Sequence, residues 1–239
     1  MKPVLGLEEI ENCIGFDDTN GMYFRDRHEA GAKLAAELRH YRYENTAVLA
    51  LSDGAVLVGD EIARALHCTI SLLLTEPITL KDIGGETIGV IDQAGTFTFN
   101  NLIPAGLLEE IMAENRTVVE EEKMKKLHAM TKLLSEHGLA EPQLFYGHNV
   151  IIVSDGLKSG LALEAAVNFL KPIKTGKLIG AAPLASVQAV DRLHVLCDEI
   201  HVLSVVDNYL DTNHYYKDNT IGDTKAIIDS INRVVMRWA

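Results

Sequence analysis

The sequence predicts an α/β fold built on a mainly parallel sheet, and three observations carry that prediction. Val150-Ile151-Ile152-Val153 is a β-branched run with no polar alternation, the pattern of a strand covered on both faces. Ser154, Asp155, Gly156, Lys158, Ser159 and Gly160 follow at once, and residues 161–170 then carry a helix with a broad apolar face. Ala47-Val48-Leu49-Ala50-Leu51, then Ser52-Asp53-Gly54-Ala55 and a helix over about 56–66, repeats the strand–loop–helix order.

In chain order, residues 1–24 read as an irregular lead-in forming part of a cap. Asp26 is placed to cap a first helix through residues 29–38. After the unit at 47–66, residues 69–74 make a third strand. Pro77, Gly84-Gly85 and Gly95 then punctuate two β-rich pieces, 87–91 and 96–99, read as an antiparallel hairpin outside the main sheet. Residues 104–137 form a long charged helix with Leu107, Leu108, Ile111, Val118, Met124, Leu127, Met130 and Leu134 on its apolar side. Its run of Glu120 to Lys126 is a solvated face or a subunit contact. Beyond the strand at 150–153, strands at 177–182 and 199–206 flank a short helix at 186–195. A polar loop at 207–223 and a helix at 224–238 close the chain. One domain spans 1–239, with 75–140 as a flap inserted in it and 1–24 and 207–239 as cap elements.

The 239 residues hold 22 Lys and Arg against 34 Asp and Glu, a formal charge of −12 that disfavours nucleic acid or anionic membrane as a partner. A small anionic ligand remains admissible, since it can arrive with Mg²⁺ and meet a nest of backbone amides. Hydrophobic residues make up 47%, enough for a substantial core. No apolar run approaches the roughly 18 residues of a membrane span, and no secretory signal stands out. A soluble, cytoplasmic protein is expected, with Cys13, Cys68 and Cys197 as reduced thiols. His194, Cys197 and His201 lack a fourth ligand at suitable spacing, so zinc is not expected on them. The long amphipathic insertion is compatible with a homodimer.

Strand, glycine-containing loop and helix put unpaired N–H groups at the mouth of a sheet, where the helix macrodipole favours an anion. In open α/β sheets that carboxyl-end crevice is where ligands bind. Residues 156–160 therefore read as a phosphate cradle with Asp155 beside it, although an ordinary βα connection uses the same residue types. The loop is not a Walker motif, because Lys158-Ser159 lacks the preceding glycine. Nor is it the dinucleotide fingerprint, because Gly156 and Gly160 stand at the wrong interval.

Phe24-Arg25-Asp26-Arg27-His28-Glu29-Ala30-Gly31, the stretch 48–54, Glu86-Thr87-Ile88-Gly89 and the stretch 150–160 together resemble the type I phosphoribosyltransferases, in matching order over most of residues 24–220. The resemblance implies a Rossmann-like domain whose hairpin and long helix form a mobile cover that excludes water. It further implies Mg²⁺-dependent transfer from phosphoribosyl pyrophosphate (PRPP) to a nitrogenous acceptor. On that footing Asp155 is the catalytic carboxylate holding ribose or Mg²⁺, with Ser154 beside it at the ribose. Gly156, Lys158, Ser159 and Gly160 hold the 5′-phosphate, and Ser52, Asp53 and Gly54 form the pyrophosphate loop. Tyr216 falls in the acceptor region, where it stacks on a planar ring or anchors its loop.

The departures from that pattern point the other way. Ser154 stands where a first acid belongs, and Ala162 replaces the final phosphate-binding hydroxyl. Ser52-Asp53-Gly54-Ala55 replaces Pro-Arg-Gly-Gly, turning a phosphate-neutralising arginine into a carboxylate. Thr75-Glu76 stands where basic residues are expected. Like charge at a partly shielded site costs several kcal/mol. Asp53 then either binds a cation or caps the following helix, Lys158 either meets the phosphate or is solvated, and Arg25 and Arg27 either reach a phosphate or pair with Asp26 and Glu29. The alternative class is a non-catalytic relative that binds a nucleotide, a sugar phosphate or a protein partner.

Overall fold

A computed structural model describes residues 24–80, 86–133, 140–223, 226–229 and 231. Strands β1 (Thr46–Ala50), β2 (Thr69–Leu72), β6 (Asn149–Val153), β7 (Leu178–Ser186) and β8 (Glu199–Val206) form one parallel sheet in the order β2-β1-β6-β7-β8. Strands β3 (Thr75–Leu80), β4 (Glu86–Asp92) and β5 (Phe97–Phe99) form a separate antiparallel sheet. The helices are α1 (Arg27–Glu37), α2 (Asp53–Leu66), α3 (Ala105–Leu133), α4 (Leu161–Leu170) and α5 (Val187–Leu196).

The expected parallel α/β sheet is present, and alternation along its buried strands explains its two covers. Val48, Ala50, Ile151 and Val153 pack with α1 and α2, while Ala47, Leu49, Val150 and Ile152 pack with α4 and α5. The winding reverses between β1 and β6: the chain goes outward from β1 to β2, returns to β6, and continues outward through β7 and β8. Loops leaving β1 and β6 at their carboxyl ends therefore diverge, which opens a crevice at that switch point.

Several boundaries differ from the expectations. The third strand ends at Leu72, and Thr75–Leu80 forms a further strand, so the insertion is a three-stranded sheet rather than a hairpin. Pro77 reads as punctuation, yet it lies opposite Val90 on an edge strand, where a missing N–H is tolerated. β7 continues to Ser186, which then caps α5. The buried face of α3 agrees in part: Ile111 and Met130 are buried and Leu108 and Leu127 pack beside them as expected, but Val119 is buried in place of Val118, and Leu107 and Met124 are exposed. Asn115 interrupts the helical backbone (φ −112°, ψ 16°), so one 3.6-residue stripe drawn across it misassigns part of that face.

The cap of α2 is Ser52 and not Asp53: Ser52 has the extended backbone of a cap, and its Oγ accepts from the Ala55 N–H at 3.0 Å. Asp26 caps α1 as expected, its Oδ1 accepting from the Glu29 N–H at 2.8 Å. That hydrogen bond, and then Arg25, hold the Asp26 carboxyl below its ordinary range. The lead-in lies outside the described residues except for Phe24, which bridges Tyr216. Of the closing helix, Ile227, Ile228 and Ile231 are buried; Val234, Val235 and Leu134 of the long helix lie outside the described residues. Among the described residues no helix is long and apolar enough to cross a membrane. Cys68 and Cys197 are free thiols, pushed up to about 12 by burial, and Cys13 lies outside the described residues.

The packing of α1 on α2 sets where Arg27 enters the crevice, and it depends on Gly31. A β-carbon there would stand 2.5 Å from the Val58 carbonyl oxygen of α2. Alanine favours a helix by about 1 kcal/mol over glycine, but overpacking against backbone costs about 1–3 kcal/mol. Gly31→Ala is therefore expected to lower the urea midpoint; an unchanged or raised midpoint would show that the two helices can part without penalty.

Candidate functional site

The crevice at the β1/β6 switch point holds a cavity of about 500 Å³. Its polar end is lined by Arg27, Ser52, Asp53, Gly54, Asp155, Thr212 and Asn213. Leu51, Leu72 to Leu74 and Ile221 supply apolar wall, and Ala129 and Met130 of α3 close one side. Glu76 also lines the cavity, and Lys126 of α3 pairs with it at 2.8 Å, which offsets the expected loss of basic character there.

Asp155 is the hub. It is 8% exposed, and both carboxylate oxygens accept hydrogen bonds: Oδ1 from Ser52 Oγ at 2.9 Å, Oδ2 from Arg27 Nε at 2.8 Å. Arg27, 3% exposed, also donates to Asn213 Oδ1 at 2.7 Å and Asn219 Oδ1 at 3.3 Å. Its guanidinium carbon lies 4.6 Å from the centre of the Tyr216 ring. Tyr216 donates through its hydroxyl to the Asp155 carbonyl at 2.6 Å. Burial, and then the nearby Asp155 charge, push that phenol well above the ordinary tyrosine range. Gly54 makes the arrangement possible, since a β-carbon there would fall 2.1 Å from Asp155 Oδ2 and 2.6 Å from Arg27 Nε.

The residues singled out from sequence divide between cavity and loop. Ser52, Asp53, Gly54 and Asp155 come together on the cavity, and none of residues 156–160 lines it. Ser154 is buried and turned into its own loop, accepting from the Gly156 N–H at 3.2 Å and donating to the Gly156 carbonyl at 3.0 Å. Gly156 lies beneath the 207–216 loop, where a β-carbon would meet the Tyr209 hydroxyl at 2.1 Å. The Tyr209 phenol is pushed up to about 12, chiefly by burial. Leu157 is pinned along β7 through Leu184 and Ser186, and the Lys158 carbonyl accepts from Ser186 Oγ at 2.6 Å. Lys158 is exposed and Ser159 half-buried, and Gly160 adopts the left-handed conformation (φ 71°) that starts α4. Among the described residues, nothing accepts from the N–H groups of Lys158, Ser159 and Gly160. Tyr216 is buried beneath Arg27 and outside the cavity lining, so it anchors its loop rather than offering a stacking face.

Arg27 is the residue that sequence reasoning undervalued. One signal was available: a cation at the first position of a helix opposes the macrodipole, and its presence there calls for an acid elsewhere to hold it. Asn213 and Asn219 carried no such signal, because their loop has to fold onto Phe24 before they reach the guanidinium.

The phosphoribosyl transferase domain model matches residues 24–215. Two Mycobacterium tuberculosis proteins, from strains CDC 1551 / Oshkosh and ATCC 25618 / H37Rv and both provisionally named as phosphoribosyl transferases, are 22% identical over 210 residues. That match covers 88% of this chain and 46% of each relative, so the chain spans about half the length of the curated relatives it matches. The crystal structure of TT1426 from Thermus thermophilus is similar at a TM-score of 0.67 and 26% identity, covering 91% of this chain and 100% of that one.

Removing one partner of a buried ion pair costs about 3–5 kcal/mol, while replacing both by apolar groups is often nearly neutral. Arg27→Met is accordingly expected to destabilise the chain by about that amount in urea unfolding, and adding Asp155→Leu to recover a good part of it. Equal losses in the single and double variants would show that the two residues contribute separately.

Proposed function

The chain belongs to the phosphoribosyl transferase domain family, and we propose that it binds PRPP or a related sugar phosphate at the β1/β6 switch point. The observation that carries this reading is the guanidinium of Arg27 in the cavity lining. Of the five N–H groups of a guanidinium, Asp155, Asn213 and Asn219 engage three on Arg27, leaving two without a partner among the described residues. An anionic oxygen at that guanidinium gains charge-assisted hydrogen bonds. The free amides of Lys158, Ser159 and Gly160, at the start of α4, suit the 5′-phosphate. Ser52 and Gly54 would face the other end of the ligand, with Asp155 between the two. An acceptor, where one is used, would stand against the apolar wall rather than on the buried face of Tyr216.

Transfer of the phosphoribosyl group is the activity this reading supplies, with the acceptor unassigned. The residues present do not fit a protein-held Mg²⁺ ion. Both Asp155 oxygens already accept from donors, and a guanidinium 2.8 Å away repels a further cation. A second reading, binding without transfer, is favoured by that same clamp: Arg27 and Ser52 already hold one acceptor position on each Asp155 oxygen, so sugar hydroxyls compete with them or are limited to the remaining lone pairs. Asp53, at the mouth of the α2 amides, adds repulsion against a pyrophosphate.

Calorimetry with ribose 5-phosphate, and with PRPP plus Mg²⁺, separates the two. Under binding without transfer, the monophosphate binds as well as PRPP or better, and Arg27→Gln weakens it about tenfold, or ~1.4 kcal/mol. A marked Mg²⁺-dependent preference for PRPP that is weakened by Asp155→Asn selects the transferase. No binding of either ligand at millimolar concentration overturns the proposal.

A further inference from the structure

We propose that His40, Glu199 and His201 form a binding site for a divalent transition ion of the zinc class, distinct from the cavity, none of whose lining residues belongs to it. Glu199 and His201 stand two residues apart on edge strand β8, so their side chains share one face. The turn after α1 brings His40 to the same place, and one ligand atom from each of the three lies within 4.8 Å of the others. In sequence His201 stands beside Cys197 and His194, but among the described residues it groups with His40 and Glu199 instead.

Glu37 completes the case. Its backbone carbonyl faces His40 Nδ1 at 3.1 Å, and its Oε2 faces His201 Nδ1 at 3.5 Å. With each Nδ1 facing an oxygen acceptor, the tautomer that donates from Nδ1 is the one these neighbours favour, and it leaves Nε2 as a lone-pair donor. This carbonyl-or-carboxylate support behind a ligating histidine is the arrangement that orients imidazoles toward a metal. Two imidazoles and one carboxylate with positions left for water suit zinc, cobalt or nickel better than magnesium or calcium. Ligand bonds of about 2.1 Å place tetrahedral donors about 3.4 Å apart, so closing around an ion asks for movements of about an ångström, which the exposed His40 can make.

Lys177 competes. Its Nζ donates to Glu199 Oε1 at 2.6 Å, while Tyr41 donates to Oε2. The Lys177 side chain is 54% exposed and can exchange that contact for water, whereas Tyr41 is buried and keeps the carboxylate aimed. Among the described residues a second cluster has ligand atoms this close: His28, Asp60 and Glu61, which has one imidazole and whose Asp60 is held by Arg64.

The test is titration of the untagged, chelator-treated chain with Zn²⁺ by calorimetry and with Co²⁺ by visible absorption. One ion per chain is expected, with His40→Gln and His201→Gln each weakening it at least tenfold. Glu37→Gln is expected to weaken it less than either, Lys177→Met to tighten it, and His28→Gln to leave it unchanged. Absence of saturable binding of both ions overturns the proposal, as does binding that survives the double histidine variant or is lost in His28→Gln.

Discussion

A buried carboxylate and guanidinium in contact at the switch point of the sheet constrain everything around them. Arg27 comes from the start of α1 and Asp155 from the end of β6, 128 residues apart in the chain. Taking both charges out of water costs several kcal/mol per ion, and their attraction repays this only when the remaining donors and acceptors are satisfied. Here they largely are. Ser52 caps α2 and holds the free Asp155 oxygen with the same hydroxyl, Asn213 and Asn219 take the outer nitrogens, and Tyr216 offers its ring face to the guanidinium. The loop after β1, the loop after β6 and the segment at 209–219 are thereby fixed to one another through side chains rather than through the sheet.

This clamp also sets the electrostatics of the cavity. An acidic chain that collected Asp53, Glu76 and Asp155 in one crevice would repel any phosphate, at about 4 kcal/mol for a unit pair 4 Å apart in a surface-like dielectric. Arg27 against Asp155 and Lys126 against Glu76 cancel two of those charges. The insertion therefore contributes charge as well as cover. The Lys126–Glu76 pair is about one-third exposed on each side, and such pairs are worth little to stability. What seats α3 is its apolar contact with the three-stranded sheet, through Ile111, Val119 and Met130 on Ile78, Ile88 and Ile91.

The parallel sheet was legible because Val150 to Val153 and Ala47 to Ala50 are apolar without alternation, and the loop–helix order after each strand leaves few topologies. The insertion was legible as a departure from that rhythm, but not its third strand, since Pro77 gives the same local signal on an edge strand as in a turn. The buried face of α3 was legible only in part: Ile111 and Met130 are read from the apolar stripe, but the backbone break at Asn115 lies between Ile111 and the turn where Val119 rather than Val118 faces inward. At the site, Asp155 and the Ser52–Gly54 loop stand out as strand-end residues. Their partners do not: Arg27, Asn213, Asn219 and Tyr216 are brought in by tertiary contacts between α1, the 207–223 loop and Phe24, for which local sequence has no period or spacing. Tyr216 shows the difference most plainly, since an aromatic in a polar loop reads equally as a stacking surface or an anchor, and only the guanidinium over its ring decides.

A site neutralised from within responds to ligands differently from one lined with unpaired groups. An oxygen that engages the outer Arg27 N–H groups can join the network beside the ion pair, one that takes over Nε loosens the hold on Asp155, and a hydroxyl that reaches Asp155 shares its carboxylate with Ser52 and Arg27. Ser52 is at once the cap of α2, so its displacement would leave the Ala55 N–H without its acceptor. A ligand that moved the Ser52 oxygen itself would therefore disturb the start of α2 and, through Gly54, the close passage of helix and ion pair. The coupling is local and reciprocal: whatever holds α2 and the 209–219 segment in place also sets how firmly the carboxylate and guanidinium are held together.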